Sequence, residues 1–178
     1  MASAPAWPRP AAIWLYYQRS KVALSALRNR AVLESVTAAA DPFLGLTPPE
    51  YEDALSEMRN ELENQVTLAL VASIEASFRT DFEMRSRKRL KDNASREFRK
   101  LARRYGARVR FEDILDVWKR HTDGSQVFGI LTQLLNYRDW LAHGRYWVHK
   151  TGRDFGPLEA WQIGQTVEAR LPPEFPLR

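Results

Sequence analysis

The sequence predicts an all-α fold, a helical bundle of about five to six helices, and three observations support that prediction. The chain has 178 residues, a length that fits one domain with a sizeable apolar core. Nearly every long segment repeats its apolar residues at helical spacing, and almost none alternates them as a strand would. Proline, glycine and helix-capping residues separate these segments, as they do between packed helices.

The first predicted helix follows a proline-rich start and ends near Ala40. Five apolar residues separated by steps of three, four or seven share one of its faces: Ile13, Tyr17, Leu24, Leu27 and Ala31. Asp41, Pro42 and Gly45 follow, and these residue types break helices. We therefore expect a loop here before the next helix begins.

The second predicted helix begins with strong capping residues and becomes apolar in its middle. Thr47 is an N-cap residue, Pro48 suits the first helical position, and Glu50 completes a capping box. Farther along, residues 66–74 are apolar on nearly every side. Helices of that kind are surrounded by others, so we expect this one at the centre of the bundle.

Capping and turn residues predict four further helices. One begins after Asp92 and ends at Gly106, and the next covers residues 111–121. A turn at residues 123–125 introduces the fifth helix, and the sixth covers about residues 157–170. The predicted organisation has three parts: a flexible N-terminus (1–10), a helical domain (11–170) and an extended, proline-rich tail (171–178).

The composition argues against several classes of protein. The chain has no cysteine and three scattered histidines, so we expect no disulfide, no thiolate nucleophile, no metal and no cofactor. No run approaches the roughly 20 apolar residues that span a bilayer, so no membrane partner is expected. The predicted location is the cytoplasm, although the first 33 residues, with five basic residues and no acid, also fit a transit peptide.

Charge is distributed unevenly along the chain. Residues 85–110 contain twelve basic and two acidic residues, whereas residues 51–84 contain two basic and eight acidic residues. On the third predicted helix, five basic residues form one continuous face: Arg96, Arg99, Lys100, Arg103 and Arg104. The other face is apolar and consists of Phe98, Leu101, Ala102 and Tyr105. The basic face is either a solvated surface or a track for the phosphates of a nucleic acid.

The fifth predicted helix places an arginine among apolar residues. The apolar residues of this helix cluster on one side of a helical wheel, and Arg138 falls in the middle of them. A cation there is costly unless it has a partner or faces a polar cleft. Asp139 and His143 lie along one edge of the same side. The helix therefore presents a guanidinium, a carboxylate and an imidazole, which can bind a phosphodiester and exchange a proton near neutral pH.

A purely structural interpretation of these residues is also open. In it, a buried acid neutralises Arg138, and His143 only caps the end of its helix. Glu75 is the candidate acid, because it is the one charge in a long apolar stretch. It pairs either with Arg79, one turn later on its own helix, or across the bundle with Arg138, whose guanidinium it would then fix.

The stretch Asn136–Gly144 resembles the R-x4-H motif of the HEPN superfamily, with the polar Asp139 directly after the arginine. Residues 69–79 on the central helix, the basic segment after them and the short helix before the motif are also similar to bacterial members. The resemblance covers roughly residues 10–170. HEPN domains are all-α bundles, and many are metal-independent endoribonucleases of toxin–antitoxin, CRISPR and other defence systems. The resemblance implies the same activity here.

The resemblance also implies a mechanism and partners. It implies a homodimer in which the motif helices face each other and two copies of Arg138 and His143 form one RNA cleft. His143 would act as general base or acid on a ribose 2′-hydroxyl, Arg138 would neutralise the scissile phosphate, and Asp139 would position its neighbours. A cognate antitoxin protein is a further expected partner. Some toxins of the superfamily carry a modifiable tyrosine two residues after the histidine, whereas Tyr146 is three residues after it, which argues against that regulation.

A rival function is a non-catalytic HEPN-like module that binds RNA or a partner protein. In that case Arg138 and His143 have structural roles. Trp140 lies opposite the apolar side of its helix and is expected either to form a second contact surface or to pack within the domain.

Overall fold

The structure is a computed structural model, and it describes residues 8–33, 43, 45–123, 125–145 and 152–172. These residues form six α-helices and contain no β-strand, which confirms the predicted all-α bundle. The helices are α1 (Pro10–Leu33), α2 (Pro48–Arg87), α3 (Asn93–Tyr105), α4 (Phe111–His121), α5 (Ser125–Ala142) and α6 (Pro157–Glu168), with a 3-10 turn, Gly106–Arg108, after α3. The predicted end of the first helix near Ala40 lies outside the described residues. Among the helices described, none is long and apolar enough to cross a membrane.

The predicted capping box starts α2. Glu50 accepts hydrogen bonds from the Thr47 backbone N–H at 2.7 Å and from the Thr47 hydroxyl at 2.6 Å. These hydrogen bonds lower the pKa of Glu50, because they stabilise its carboxylate form. Pro48 is the first helical residue, where a missing N–H leaves no helical hydrogen bond unmade. Three neighbouring residues therefore specify the start of α2.

The long α2 is the central helix, as predicted. It has 40 residues and is about 60 Å long, and it contacts each of the other five helices. Four of its apolar side chains are no more than 1% exposed: Leu70, Val71, Ile74 and Phe78. They belong to one continuous core with residues from the surrounding helices, among them Trp118, Leu131, Leu134 and Val167.

α1 and α6 pack together against α2. The ring of Trp14 on α1 stacks on that of Trp161 on α6, with the ring centroids 5.5 Å apart. A Cβ atom at Gly164 of α6 would lie 3.1 Å from Cδ1 of Ile74. Because interiors are close-packed, a glycine at this position allows α6 to approach α2 closely.

A buried ion pair joins the end of α2 to α3. Arg85 Nε donates to Asp81 Oδ1 at 2.8 Å, and the two side chains are 4% and 0% exposed. The Arg85 guanidinium also donates to Ser95 Oγ of α3 at 3.3 Å and lies over the Trp118 ring of α4. Burial raises the pKa of Asp81 to about 6, although the hydrogen bond from Arg85 opposes the shift. The pair thus connects three helices through charged groups.

Candidate active site

The side chain of Arg138 extends from α5 towards α2. The preceding turns of α5 bury Leu131, Leu134 and Leu135 in the core, and Arg138 follows them on the same side of the helix. Its Nη2 donates to Glu75 Oε2 at 2.5 Å, and its Nη1 lies 3.2 Å from Asp139 Oδ1. The side chain is 25% exposed, so the guanidinium is fixed by two carboxylates and still reaches solvent.

Glu75 uses its two carboxylate oxygens for two different arginines. Oε2 accepts from Arg138, while Oε1 accepts from Arg79 Nε at 2.8 Å. The sequence left these two partners as alternatives, and the structure contains both. Arg79 also lies over the Phe111 ring, 5.2 Å from its centroid. One carboxylate therefore holds two guanidinium groups next to each other, and we call Glu75, Arg79, Arg138 and Asp139 the Arg138 cluster.

His143 occupies the C-terminal cap of α5. The Gly144 N–H bonds to the carbonyl of Leu141 at 3.4 Å, and the Arg145 N–H bonds to that of Trp140 at 3.2 Å. These are the two bonds of a Schellman motif, in which the residue after the cap has a left-handed backbone. Gly144 has a φ of 82°, as the motif requires. The side chain of His143 is exposed at this helix end.

Arg145 extends this cap towards α2. It has a φ of 58°, a conformation that costs a non-glycine residue free energy. Its Nη2 lies 3.0 Å from Oε2 of Glu61 on α2. The ion pair is exposed, yet it links the segment directly after His143 to the central helix. Sequence spacing gave no signal for it, because the partners are 84 residues apart.

Arg138 and His143 point away from α5 in different directions. Five residues turn an α-helix by about 500°, so the two Cα–Cβ directions differ by about 140° and are about 7.5 Å apart along the axis. Asp139 lies between them, bonded to Arg138 through its side chain and to the His143 N–H through its backbone carbonyl at 3.0 Å. Both Asp139 and His143 are exposed. The three predicted catalytic residues are therefore neighbours, with Arg138 facing α2 and His143 facing solvent.

The cluster has the groups for phosphodiester chemistry. Arg138 offers a planar donor that matches two phosphate oxygens, and His143 offers an imidazole, a group that can serve as general acid or base. The buried Nε of Arg138 has no hydrogen-bond partner among the described residues. Across all the residues that the structure describes, no group of three or more His, Cys, Asp or Glu side chains could hold a metal ion.

Most of the predicted basic face of α3 is exposed. Arg96, Lys100, Arg103 and Arg104 reach solvent, whereas Arg99 is half-buried and donates to the Lys88 carbonyl at 3.1 Å. The opposite face buries Phe98 completely and Leu101 and Ala102 in part.

Tyr105 is at the exposed end of the apolar face of α3. Its side chain is 41% exposed, and Arg104 lies over its ring, 5.1 Å from the centroid. Tyr105 is the last residue of α3, where Gly106 turns the backbone with a φ of 56°.

Trp140 packs within the domain instead of forming a separate surface. It is partly buried against the core, and its ring lies 5.3 Å from that of Tyr137. Tyr137 in turn packs against Phe155, with the ring centroids 5.6 Å apart. These aromatic contacts connect the motif end of α5 to the segment before α6.

A larger cleft of 740 Å³ lies on a different side of α2. Asp81 in its wall is six residues from Glu75, about 120° around the helix axis and about 9 Å along it. The Asp81–Arg85 pair in this wall is already bonded within the domain, and His121 lies 3.1 Å from a Glu97 oxygen. We therefore place the candidate active site at the Arg138 cluster and His143.

Comparison with known proteins gives no identification. No family model matches the chain, and no curated protein or solved structure matches it. Function is therefore inferred from the motif on α5 and from the geometry around it.

Proposed function

We propose that this chain is a metal-independent endoribonuclease of the HEPN type that acts as a homodimer. The proposed substrate is RNA, bound by the exposed basic residues of α3 and cut at Arg138 and His143. The proposed setting is the cytoplasm, in a toxin–antitoxin or phage-defence system with a cognate antitoxin protein. The observation that carries the proposal is the state of Arg138, which is fixed by two carboxylates, is partly exposed and lies next to Asp139 and His143.

In the proposed reaction the ribose 2′-oxygen attacks the neighbouring phosphorus. His143 accepts the proton of the 2′-hydroxyl as general base, and the bond from phosphorus to the 5′-oxygen breaks. The leaving 5′-oxygen takes the proton back from the His143 imidazolium formed in this way, which leaves a 2′,3′-cyclic phosphate and a 5′-hydroxyl end and restores the neutral imidazole. Arg138 binds the phosphate oxygens and stabilises the charge that develops on them.

The directions of Arg138 and His143 favour a site made by two protomers. Within one protomer the two side chains leave α5 about 140° apart, so both do not face the same phosphate directly. A twofold axis near the exposed side of α5 would bring His143 of each copy towards the other copy's motif, because symmetric interfaces pair each surface with itself. This arrangement supplies the base and the guanidinium from opposite sides of the RNA.

A non-catalytic RNA- or protein-binding module is the second candidate function. The observation that favours it is charge neutralisation, because Glu75 and Asp139 both pair with Arg138. In this case the cluster only joins α5 to α2, and the basic face of α3 is the functional surface.

Incubation with mixed RNA in excess EDTA distinguishes the two functions. The endoribonuclease cuts RNA under these conditions, and both His143→Ala and Arg138→Ala abolish cutting with unchanged helical circular dichroism. Arg19→Ala, which removes an exposed arginine from α1, is the matched control and keeps full activity. If chelation stops cleavage completely, the metal-independent mechanism is wrong. If the wild type binds RNA but never cuts it, the non-catalytic module is favoured.

A further inference from the structure

A second, smaller cleft opens beside the Arg138 cluster. It has a volume of 360 Å³ and lies between α2 on one side and α3, the 3-10 turn and α4 on the other. Arg79, which shares Glu75 with Arg138, forms part of its wall. Since one carboxylate bonds to both arginines, a phosphodiester group at Arg138 would lie directly next to this cleft.

The wall of the cleft is partly apolar and partly polar, and its charges are balanced. Its apolar part consists of Phe82, Ala102, Val109 and Ile114. Its charged side chains are paired, because Arg79 bonds to Glu75 and Arg87 lies 3.6 Å from Glu83. Such a wall fits an uncharged, flat group with polar edges better than it fits a phosphate.

The part of α3 next to the cleft is different, because it is strongly basic and includes an exposed aromatic ring. Ala102 and Gly106 belong to the wall, and two exposed cations, Arg103 and Arg104, lie between them in the chain. Tyr105 lies directly before Gly106, its ring is exposed, and the Arg104 guanidinium lies over one face of that ring. Cations with an exposed aromatic ring are the combination that binds single-stranded RNA, by holding phosphates and stacking bases.

We propose that this cleft is a subsite for one unpaired nucleobase of the RNA strand, next to the scissile phosphate held at Arg138. This inference rests on the proposed function. It adds a site at which one base of the RNA strand is separated from its stacked neighbours. The base enters the electrically balanced cleft and stacks on Tyr105 next to it, while the phosphates on either side contact the neighbouring cations of α3. The subsite requires an unpaired strand, since a base within a duplex cannot reach it.

The test measures how much the bases contribute to binding. The His143→Ala protein, which binds RNA without cutting it, is titrated with a short oligouridylate and with an abasic ribose-phosphate strand of the same length. We expect the oligouridylate to bind about 5- to 150-fold more tightly, the range for stacking of one base on an aromatic side chain. Two further substitutions are then added separately in this background. Ala102→Phe fills the cleft, and Tyr105→Ala removes the exposed ring.

Each substitution should reduce the preference for the oligouridylate and leave the affinity for the abasic strand unchanged. Ala23→Phe, at an exposed position on α1, is the matched control and should keep the preference. If Ala102→Phe disturbs folding in circular dichroism, Tyr105→Ala still decides the question, because it removes an exposed side chain. An unchanged preference in Tyr105→Ala, or equal binding of both strands by the parent, overturns the subsite.

The outcome for the proposed function is measured separately. If the wild type cleaves mixed RNA and the base preference is absent or unaffected, only the subsite is wrong. If the wild type does not cleave and the His143→Ala protein binds neither strand, the endoribonuclease and the subsite are both wrong.

Discussion

Glu75 on α2 and Arg138 on α5 are 63 residues apart in the sequence, and a hydrogen bond of 2.5 Å joins their side chains. The same carboxylate also binds Arg79 through its other oxygen. Rotation or sliding of α5 against α2 would break the first of these bonds. The position of Arg138 is therefore fixed by the central helix as well as by α5.

The first prediction concerns the stability that Glu75 contributes. Glu75→Gln keeps the shape of the side chain but removes the charge that two guanidiniums share, so we expect the free energy of unfolding to fall by about 1 to 2 kcal/mol. Urea denaturation followed by circular dichroism measures the change. Glu83→Gln, on the same helix, is the control. The ion pair between Glu83 and Arg87 is longer and mostly exposed. Glu83→Gln should therefore lower the free energy of unfolding by less than about 0.5 kcal/mol. Equal effects of the two substitutions would contradict the role given to Glu75.

The second prediction concerns pH and the buried Asp81. The pKa of Asp81 is raised from 3.8 to about 6 by burial, so the folded state binds this proton more tightly than the unfolded state. The resulting stabilisation is complete below pH 3.8 and is lost as the pH rises through 6. Relative to Asp81→Asn, the wild type should lose about 3 kcal/mol of unfolding free energy over that range.

Urea denaturation of both proteins at a series of pH values tests this expectation. The other carboxyl groups titrate in both proteins, so the difference between the two stability curves isolates Asp81. A difference that does not vary with pH would show that Asp81 has an ordinary pKa.

Local sequence patterns predict the helix limits well because the interactions that set them are local. Thr47 and Glu50 are three residues apart and form the capping box seen at the start of α2. Asp92 caps α3 by accepting the Ser95 N–H at 2.8 Å. In each case the donor and the acceptor lie within one helical turn, so residue types alone identify them.

The candidate site is only partly predictable because its contacts cross between helices. The sequence identified Arg138, Asp139, His143 and Glu75, but spacing could not show that Glu75 binds two arginines at once. A helical wheel places Arg138 on the apolar side of α5 without saying which helix lies opposite. The link from Arg145 to Glu61 and the cleft beside Arg79 depend on how α2, α3 and α5 pack together, which is set by the whole core.

The third prediction concerns the backbone around His143. Gly144 has a φ of 82°, and a Cβ atom added to it would meet open space, so Gly144→Ala introduces backbone strain without a steric clash. We expect a loss of about 1 to 2 kcal/mol in unfolding free energy. Gly129→Ala on the same helix is the matched control, because it also meets open space but has a helical backbone. It should stabilise the protein by about 0.5 to 1 kcal/mol. Thermal or urea denaturation measures both changes in unfolding free energy. If the two substitutions change the stability in the same direction, the cap geometry is contradicted.

The fourth prediction concerns the exposed cations of α3. Three of them, Arg96, Lys100 and Arg103, are replaced together by glutamine. If each contacts one phosphate of single-stranded RNA, the slope of log affinity against log salt should decrease by about 2. A triple glutamine variant at Arg9, just before α1, and at Arg19 and Lys21, within α1, makes the same charge change at exposed positions and should leave the slope unchanged. Equal slopes in the two variants would show that the basic face of α3 is an ordinary solvated surface and does not bind RNA phosphates.

The last prediction is that one active site contains residues from two protomers. Arg138 faces α2 and His143 faces solvent at the end of α5, so a twofold axis near α5 is the simplest way to place an imidazole opposite a guanidinium. Inactive Arg138→Ala and inactive His143→Ala proteins are mixed, unfolded and refolded together so that protomers exchange. The heterodimer contains one intact copy of each residue and should regain cleavage, whereas neither variant refolded alone should do so. RNA should also favour the dimer in sedimentation, because a ligand that binds both protomers stabilises their association. Cleavage by wild-type protein that sedimentation shows to be monomeric at the assay concentration would contradict the shared site.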